Sequence, residues 1–419
     1  MRILIITQIF TPEMGAQANR LQPMVRHLVK AGHDVFVATG MPNYPSGVVA
    51  DAYRGVRFVR ETVDGATVLR SAYFTTPRNK SKWAQLRSYL SFVPAAFHSG
   101  LKAGPIDIVF VTSPPIFPAV AAMLLAKIRR SKLIFDVRDL WPDEIMACGA
   151  AREGSMGVLL IRLIERIVYK SADRICCTTR AFMELVAQRG ANMSKIVFLP
   201  NGADLSIFNS PVDDGAEYRR ANNQLVVMYS GLIGIKHGLE TIMDVAGLLK
   251  NDPSIKFIIV GTGPRAEAIQ QLAADRCLTN VQFAGGRPVT EIPSLLAQSD
   301  ICVTCLLTEP YLRNIVPAKI YEYMAAGKPI VAGVAGEADR IIHDAQAGIV
   351  TLPGDAAEMA QAILTLRDHP DLREQLGRNG RLYVEENYSR EKTAAQLGLI
   401  VDELCPPQAP HQLKRRLAA

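Results

Sequence analysis

The segment from Pro317 to Pro329 carries residue types suited to binding a nucleoside diphosphate. Pro317 suits the first turn of a helix, and Gly327 followed by Pro329 suits its end. Lys319 and Glu322 are three residues apart and therefore share one face of that helix. The helix start and the Lys319 ammonium would hold a phosphate, and the Glu322 carboxylate could accept two ribose hydroxyls. The alternative is an ordinary i,i+3 ion pair on the surface.

Glycine turns between a strand and a helix occur at Gly15 in the first half and at Gly231 and Gly263 in the second. Glycine lets backbone N–H groups approach a phosphate at such a turn. Lys236 and His237 could supply positive charge beside Gly231, or they are ordinary loop residues. The Gly15 turn lacks G-x-G-x-x-G and Walker A spacing, which disfavours standard dinucleotide and P-loop sites and leaves a plain tight turn as its alternative.

Arg138 and Asp139 directly follow an apolar, β-branched run in the first half. Ligands of parallel sheets lie at the carboxyl ends of the strands, so both side chains are expected to face a cleft. We expect Asp139 to orient a substrate and Arg138 to contact a substrate phosphate. Asp139 as a helix N-cap or a buried ion-pair partner is the alternative.

The sequence does not indicate a metal site. It contains no D-x-D motif and no compact His, Cys and carboxylate cluster, so we expect neither a divalent metal nor another cofactor. Cys302 and Cys305 have C-x-x-C spacing but lie in an apolar strand without a second pair, which favours structural thiols. A leaving diphosphate would then be neutralised by Lys236, Lys319, the helix at Pro317 and the Gly15 loop.

The elements that must position these residues alternate β then α along the chain. Short β-branched runs each precede a helical pattern, which is typical of parallel sheets covered by helices. The expected fold class is α/β, with two doubly wound Rossmann-like domains facing a cleft. The expected divisions are a first domain (1–208), a linker (209–224), a second domain (225–385), a C-terminal helix crossing back to the first domain (386–405) and a flexible basic tail (406–419).

Composition and charge limit the class of protein and suggest where in the cell it acts. A chain of 419 residues with 49% hydrophobic and 21% charged residues is an ordinary globular protein, not a disordered or fibrous one. Seven scattered cysteines and no apparent signal peptide favour a reduced, cytoplasmic protein. The net charge of +7 divides into +12 for residues 1–200, from 26 Lys and Arg against 14 Asp and Glu, and −5 for the remainder. The first half is therefore expected to meet something anionic, unless the surface excess is accidental.

Basic and aromatic residues alternate with helical spacing between residues 78 and 97. This pattern predicts an interfacial helix at an anionic membrane surface, and the alternative is a core helix with a solvated edge. The basic tail at 414–416 could assist this contact. The residues assigned to membrane or acceptor contact are Arg78, Lys80, Lys82, Trp83 and Arg87.

Several of these segments together resemble a known family. The stretch from Glu322 to Pro329 is similar to the E-x-M-A-x-G-K-P context of the second Glu in the E-x7-E motif of retaining family 4 glycosyltransferases. The Gly15 loop, Pro200–Asp204, Ser230-Gly231 and Val260–Gly263 agree in order, so the resemblance covers residues 1–400. Two further segments, 41–47 and 137–142, resemble the subgroup of L-fucosamine transferases in O-antigen and capsule assembly.

The resemblance implies a GT-B fold and a nucleotide-sugar donor bound mainly by the second domain. It also implies front-face attack, in which a donor phosphate oxygen takes the acceptor proton. The sequence departs from the family at four positions: Asn314 replaces the first Glu of the motif, Leu232 and His237 replace the Arg and Lys beyond Gly231, and Arg138 replaces a His. The candidate catalytic residues are Asp139, Arg138 and Lys236, and the candidate donor-binding residues are Gly15, Gly231, His237, Gly263, Asn314, Ile315, Val316, Lys319 and Glu322.

The expected function is transfer of a sugar from a UDP-sugar, with N-acetyl-L-fucosamine implied by the subgroup, to an undecaprenyl-diphosphate-linked saccharide. The enzyme would be cytoplasmic and peripheral at the inner face of the plasma membrane. A UDP-sugar 2-epimerase of related architecture and a non-catalytic nucleotide-sugar-binding subunit are the alternatives. Nucleic-acid binding is not expected, because the basic residues lie in no recognised module.

Overall fold

A computed structural model of the chain describes residues 1–13, 15–44, 46–77, 81–147, 149, 151–208 and 224–406. Its apolar, β-branched runs form two separate sheets. The first has eight strands in the order β3-β4-β2-β1-β5-β6-β7-β8, all parallel except β3. These strands are β1 (Arg2–Ile6), β2 (Asp34–Gly40), β3 (Phe58–Val63), β4 (Ala66–Ser71), β5 (Ile108–Ser113), β6 (Lys132–Val137), β7 (Arg174–Cys177) and β8 (Ile196–Phe198).

The expected alternation of β then α does not include the antiparallel hairpin of β3 and β4. Its turn is Asp64-Gly65, with φ of 51° and 80°, a turn type for which Asp-Gly is a favoured pair. β3 lies at the edge of the sheet, antiparallel to β4. An edge strand can bury apolar side chains on one face only, which explains why the sequence of β3 lacks a continuous apolar run.

Helices cover both faces of the first sheet. They are α1 (Ala16–Lys30), α2 (Lys82–Lys102), α3 (Pro118–Arg129), α4 (Asp143–Ala147), α5 (Met156–Ser171), α6 (Arg180–Gln188) and α7 (Leu205–Phe208). α1 packs on one face, where Leu21 and Val25 share a core with Ile3 and Ile5 of β1. α2, α3 and α5 lie side by side on the other face.

The second sheet has six parallel strands in the order β11-β10-β9-β12-β13-β14. They are β9 (Leu225–Ser230), β10 (Ile255–Val260), β11 (Val281–Gly285), β12 (Ile301–Cys305), β13 (Ile330–Gly333) and β14 (Gly348–Thr351). The helices are α8 (Leu239–Leu248), α9 (Ala266–Asp275), α10 (Ile292–Ala297), α11 (Ala318–Ala325), α12 (Glu337–Asp344), α13 (Ala356–Asp368), α14 (Pro370–Asn387) and α15 (Arg390–Leu404). The expected fold class, two doubly wound parallel sheets, is confirmed.

The last helix returns to the first sheet. α15 packs against α1, and its Leu397 and Val401 are buried with Leu21 and Val25. The return begins where Ala203 and Ser389 form an isolated parallel bridge, with hydrogen bonds from Ala203 N to Tyr388 O (3.0 Å) and from Arg390 N to Ala203 O (2.9 Å). Most of the segment expected as a linker and the end of the basic tail lie outside the described residues.

α2 covers the first sheet on one face, as in the alternative of a core helix with a solvated edge, while membrane contact of the segment 78–97 stays a prediction. Phe92 and Ala96 are buried against the sheet because they lie on the face of α2 that meets β2 and β4. Lys82, Trp83 and Arg87 are exposed, with the Trp83 side chain 80% accessible. Arg78 and Lys80 lie outside the described residues. Within the described parts of the chain, no helix combines the length and apolar character needed to cross a bilayer.

Candidate active site

The carboxyl ends of the central strands of both sheets face a common cavity of about 470 Å³, which we call the cleft. Ten of the twelve candidate catalytic and donor-binding residues line it. From the first half these are Gly15, Arg138 and Asp139, and from the second half Gly231, Lys236, His237, Ile315, Val316, Lys319 and Glu322. The residues lie far apart in sequence and meet because parallel strands end at the same edge of each sheet.

Lys319 is a buried cation aimed at the cleft. It lies in the first turn of α11, only 6% of the residue is exposed, and its Nζ has no hydrogen-bond partner among the described residues. Nζ is 3.6 Å from the centroid of the Tyr229 ring, a cation–π contact. Burial lowers the pKa of Lys319 well below its usual 10.5, and the nearby Glu322 carboxylate opposes this shift. An anion in the cleft would supply the missing partner.

The turn after β9 is shaped around this ammonium. Gly231 has φ of 136°, and a Cβ there would lie 2.9 Å from Lys319 Cε and 3.0 Å from its Nζ. The turn after β10 touches the first, since a Cβ at Gly261 would lie 1.9 Å from the Gly231 carbonyl oxygen. Side chains at either position would displace backbone or the Lys319 ammonium, so both turns require glycine.

Glu322 lies where the cleft joins a second, smaller cavity of about 260 Å³. The smaller cavity is lined mainly by glycines and apolar side chains, including Phe208 of α7, Val260 and Gly261 at the end of β10, and Ile292 of α10. The Glu322 carboxylate is 3.7 Å from Arg390 Nη2 of the returning helix α15, and its side chain keeps 26% exposure. It is thus positioned by α11 and α15 together, with oxygen atoms accessible from both cavities.

Arg138 and Asp139 follow β6 and enter the cleft from the first sheet. Arg138 donates through Nε to Thr112 Oγ1 (2.9 Å) and through Nη2 to the Pro114 carbonyl (3.1 Å), which fixes the guanidinium. Burial lowers the pKa of Arg138. Burial, and then the Glu144 carboxylate, raise the pKa of Asp139 from 3.8 to about 6, while Lys236 and Arg138 oppose the shift.

Contacts across the cleft involve residues that the sequence did not single out. Lys236 Nζ lies 3.0 Å from Glu144 Oε1 on α4. The Tyr311 hydroxyl accepts a hydrogen bond from Leu140 N (3.2 Å) and donates one to Asp139 Oδ1 (3.4 Å). The two halves are therefore joined at the site by both an ion pair and a tyrosine. The one sequence signal for a role of Glu144 in the site is its position two residues after the segment 137–142, which resembles a family motif.

His237 does not supply positive charge, which the sequence left as one of two alternatives. The residue is 7% exposed, and its Nδ1 lacks a hydrogen-bond partner within the described structure. Burial, followed by the neighbouring charges of Lys319 and Lys236, lowers the pKa of His237 to about 2. The imidazole is consequently neutral at any physiological pH, and Lys236 and Lys319 are the cations on this side of the cleft.

Gly263 and Asn314 do not line the cleft. A Cβ at Gly263 would lie 2.4 Å from the Ile233 carbonyl oxygen, so this glycine allows two turns to pack together. Asn314 directs its amide at the Tyr311 carbonyl (3.1 Å), closing a short 3₁₀ helix at Pro310–Asn314. Among the described residues, no three His, Cys, Asp or Glu side chains are grouped so as to hold a metal ion.

Comparisons with known proteins agree with this architecture. A model of the glycosyl transferase 4-like domain matches residues 15–202, and one of glycosyl transferases group 1 matches residues 213–383. The chain is 27% identical over 336 residues to the putative colanic acid biosynthesis glycosyl transferase WcaI of Escherichia coli (strain K12), covering 78% of this chain and 82% of the relative.

Two solved structures share the fold over nearly the whole chain. Sucrose-phosphate synthase from Thermosynechococcus elongatus superposes with a TM-score of 0.76 at 19% identity, over 96% of this chain and 98% of the other. HepE of Anabaena, solved in complex with UDP and glucose, gives 0.71 at 18% identity, over 96% and 99%. With a glycosyl transferase 4-like model on the first sheet and a group 1 model on the second, the chain is a glycosyltransferase of the GT-B type.

Proposed function

We propose that this glycosyltransferase moves a sugar from a UDP-sugar to a lipid-diphosphate-linked saccharide in bacterial surface polysaccharide biosynthesis. The observation that carries the donor assignment is the pairing of an unpartnered, buried Lys319 ammonium with a Glu322 carboxylate at the junction of two cavities. The UDP complex of HepE and the name of WcaI support the donor and the pathway class.

In this proposal the two cavities divide the donor between them. The nucleobase occupies the smaller cavity, and its ribose hydroxyls hydrogen-bond to Glu322 at the junction. The diphosphate then lies over Gly231, against the Lys319 ammonium and the start of α11. The sugar extends along Ile315 and Val316 toward Asp139. This order follows from the covalent order of a nucleotide sugar and from the positions of the groups able to bind each part.

The proposed reaction proceeds with retention of configuration. The acceptor hydroxyl attacks the anomeric carbon on the face that the diphosphate leaves, the carbon–oxygen bond to UDP breaks, and a donor phosphate oxygen takes the hydroxyl proton. Lys319 and Lys236 neutralise the growing charge on the diphosphate, and Asp139 orients the reacting groups. We propose that these cations make a divalent metal unnecessary, so transfer should persist in a chelator.

The acceptor is proposed to enter from the first half of the cleft. Arg138, held by Thr112 and Pro114, presents a fixed guanidinium to an acceptor phosphate. Tyr44 lines the same side and belongs to the segment resembling L-fucosamine transferases. The resemblance of this segment supports N-acetyl-L-fucosamine as the donor sugar. We propose that this sugar is delivered to an undecaprenyl-diphosphate-linked saccharide on the cytoplasmic side of the membrane.

The test is a panel of UDP-sugars with a synthetic lipid-diphosphate GlcNAc acceptor. We expect UDP release only when donor and acceptor are both present, and an NMR spectrum of the product that shows the donor's anomeric configuration. Glu322→Gln should weaken UDP binding, whereas Glu386→Gln, on an exposed part of α14, should not. Folded protein that transfers no sugar across the panel would refute the proposal, and acceptor-independent interconversion of UDP-sugars would indicate an epimerase instead.

A further inference from the structure

Helix α5 exposes a line of large apolar side chains that no contact within the described residues covers. Met156, Leu159, Leu160, Leu163 and Ile167, which we call the α5 stripe, are each between 46% and 81% accessible. Successive helical residues are rotated by about 100°, so these five fall within an arc of about 100°. The opposite side of the helix is buried and includes Val158, Ile161 and Val168.

The exposed apolar surface extends onto the neighbouring helix. α3 packs beside α5, and its Leu124 and Ile128, four residues apart, are 49% and 57% exposed. Scattered exposed leucines are normal on a protein surface, but seven large apolar side chains on two adjacent helices form a patch that indicates an interaction. α2, the helix first expected to contact a membrane, lies on the far side of α3 and exposes fewer large apolar side chains, namely Trp83, Leu90 and Leu101.

The residues around this patch are basic. Lys127 and Arg130 lie at the end of α3, and Arg166 and Lys170 lie along α5; all four are exposed and form no ion pair within the described residues. The nearest exposed carboxylate at the start of the helix, Glu153, is paired with Arg162 at 3.3 Å. Apolar side chains on one face of a helix with cations at its margins are typical of helices that lie in a bilayer interface.

We propose that the α5 stripe, with Leu124 and Ile128, is the surface by which the enzyme docks on an anionic lipid bilayer. The stripe enters the boundary of headgroups and acyl chains while Lys127, Arg130, Arg166 and Lys170 contact lipid phosphates. A second copy of the chain fits this surface poorly, because a symmetric contact would bring one basic margin against another. The charge pattern therefore favours lipid over self-association.

This surface is connected to the cleft through α4. Arg162 of α5 lies 3.8 Å from Asp143 of α4, and the next residue, Glu144, contacts Lys236 across the cleft. Docking through α5 would hold the first half of the cleft near the bilayer. Docking at this position explains how a lipid-linked acceptor reaches Arg138, and in that part the inference rests on the proposed function. The docking itself requires no catalytic step.

The experiment is co-sedimentation of the full chain with phosphatidylcholine vesicles containing phosphatidylglycerol. We expect the wild type to bind, and Leu160→Ser/Leu163→Ser to lower the partition coefficient about tenfold or more, because two apolar side chains no longer enter the interface. The control Leu352→Ser/Leu382→Ser removes two leucines of similar exposure, 68% and 58%, from the second half and should bind normally. Arg166→Gln/Lys170→Gln should weaken binding most at low salt.

The inference would be overturned by absence of vesicle binding by the wild type, by equal binding of the α5 double variant, or by a dimer in analytical ultracentrifugation that only this variant disrupts. UDP affinity and melting temperature show that the variants remain folded. Trp83→Ser separates α2 from α5, and loss of binding in that variant alone would also contradict the proposal. Vesicle binding without sugar transfer would leave the docking surface intact while refuting the proposed reaction.

Discussion

The buried ammonium of Lys319 lowers the stability of the free protein and raises its affinity for UDP. Without an anion, the charged form of this amine is desolvated and is stabilised only by the Tyr229 ring and the nearby Glu322 carboxylate. We therefore expect Lys319→Met to leave the free protein as stable as the wild type or more so, and to weaken UDP binding by tenfold or more, about 1.5–3 kcal/mol. Calorimetric titration with UDP and with uridine tests this.

Uridine is the informative control for Lys319, because it lacks the diphosphate. Its affinity should be the same in both proteins, and an equal loss for uridine and UDP would contradict the assigned contact.

The lowered pKa of Lys319 gives a second check of its role. Between that lowered value and 10.5 the unfolded chain binds the extra proton, so the stability of the free protein rises with pH. UDP favours the charged amine, so binding in this range should take up a proton.

The raised pKa of Asp139 predicts the opposite pH dependence of stability. Its folded pKa of about 6 exceeds the ordinary 3.8, so the folded protein binds more protons than the unfolded chain between these values. The wild type should therefore lose stability relative to Asp139→Asn as pH rises from about 4 to about 6, by up to about 3 kcal/mol, and no further above that. Denaturant melts at several pH values measure the difference, and a gap independent of pH would contradict the raised pKa.

Among the elements, α15 offers the cleanest test of packing between the ends of the chain. Leu397 is 1% exposed and packs with residues of α1, whereas Leu399, two residues later on the same helix, is 70% exposed. Leu397→Ala should destabilise the protein by about 2–4 kcal/mol through the lost contacts and the cavity. Leu399→Ala should change stability by less than about 0.5 kcal/mol. Equal effects in denaturant unfolding would show that α15 does not pack as described.

The sequence predicted elements well where one local pattern determines them. The central strand β6 is a largely apolar run with five of its six residues buried, and such a run predicts a strand from the sequence alone. The hairpin of β3 and β4 was missed because its alternation is weak, although Asp64-Gly65 was a usable signal. Aromatic residues with helical spacing in α2 suggested an interface, but the spacing alone does not show which of its faces meets a sheet.

At the scale of the whole molecule, the ion pair between Glu144 and Lys236 links the two halves across the cleft. Glu144→Gln would release the Lys236 ammonium toward the donor diphosphate. We expect UDP affinity to rise up to about fivefold, since partly exposed ion pairs contribute up to about 1 kcal/mol. The pKa of Asp139 should fall as well, because Glu144 raises it. Titration calorimetry compares this variant with Glu153→Gln, whose exposed carboxylate is 3.3 Å from Arg162; unchanged UDP affinity would show that Glu144 does not restrain Lys236.

The site was predictable where its residues are close in sequence. Lys319 and Glu322 could be paired from helical spacing, and Asp139 from its place after a strand. Tyr311, Glu144 and Arg390 could not, because each meets its partner only when distant segments fold together. The neutral state of His237 likewise depends on burial by the whole second half, which no local pattern indicates.

The bridge between Ala203 and Ser389 has a mechanical consequence. Ala203 lies near the end of the first half, the chain returns to that half through Tyr388 and Ser389, and hydrogen bonds join these points. A rotation of one half against the other would therefore pivot at this bridge. Glu322 lies beside this pivot through Arg390. During such a rotation the ribose site would be displaced least, and groups farther from the pivot would travel farther.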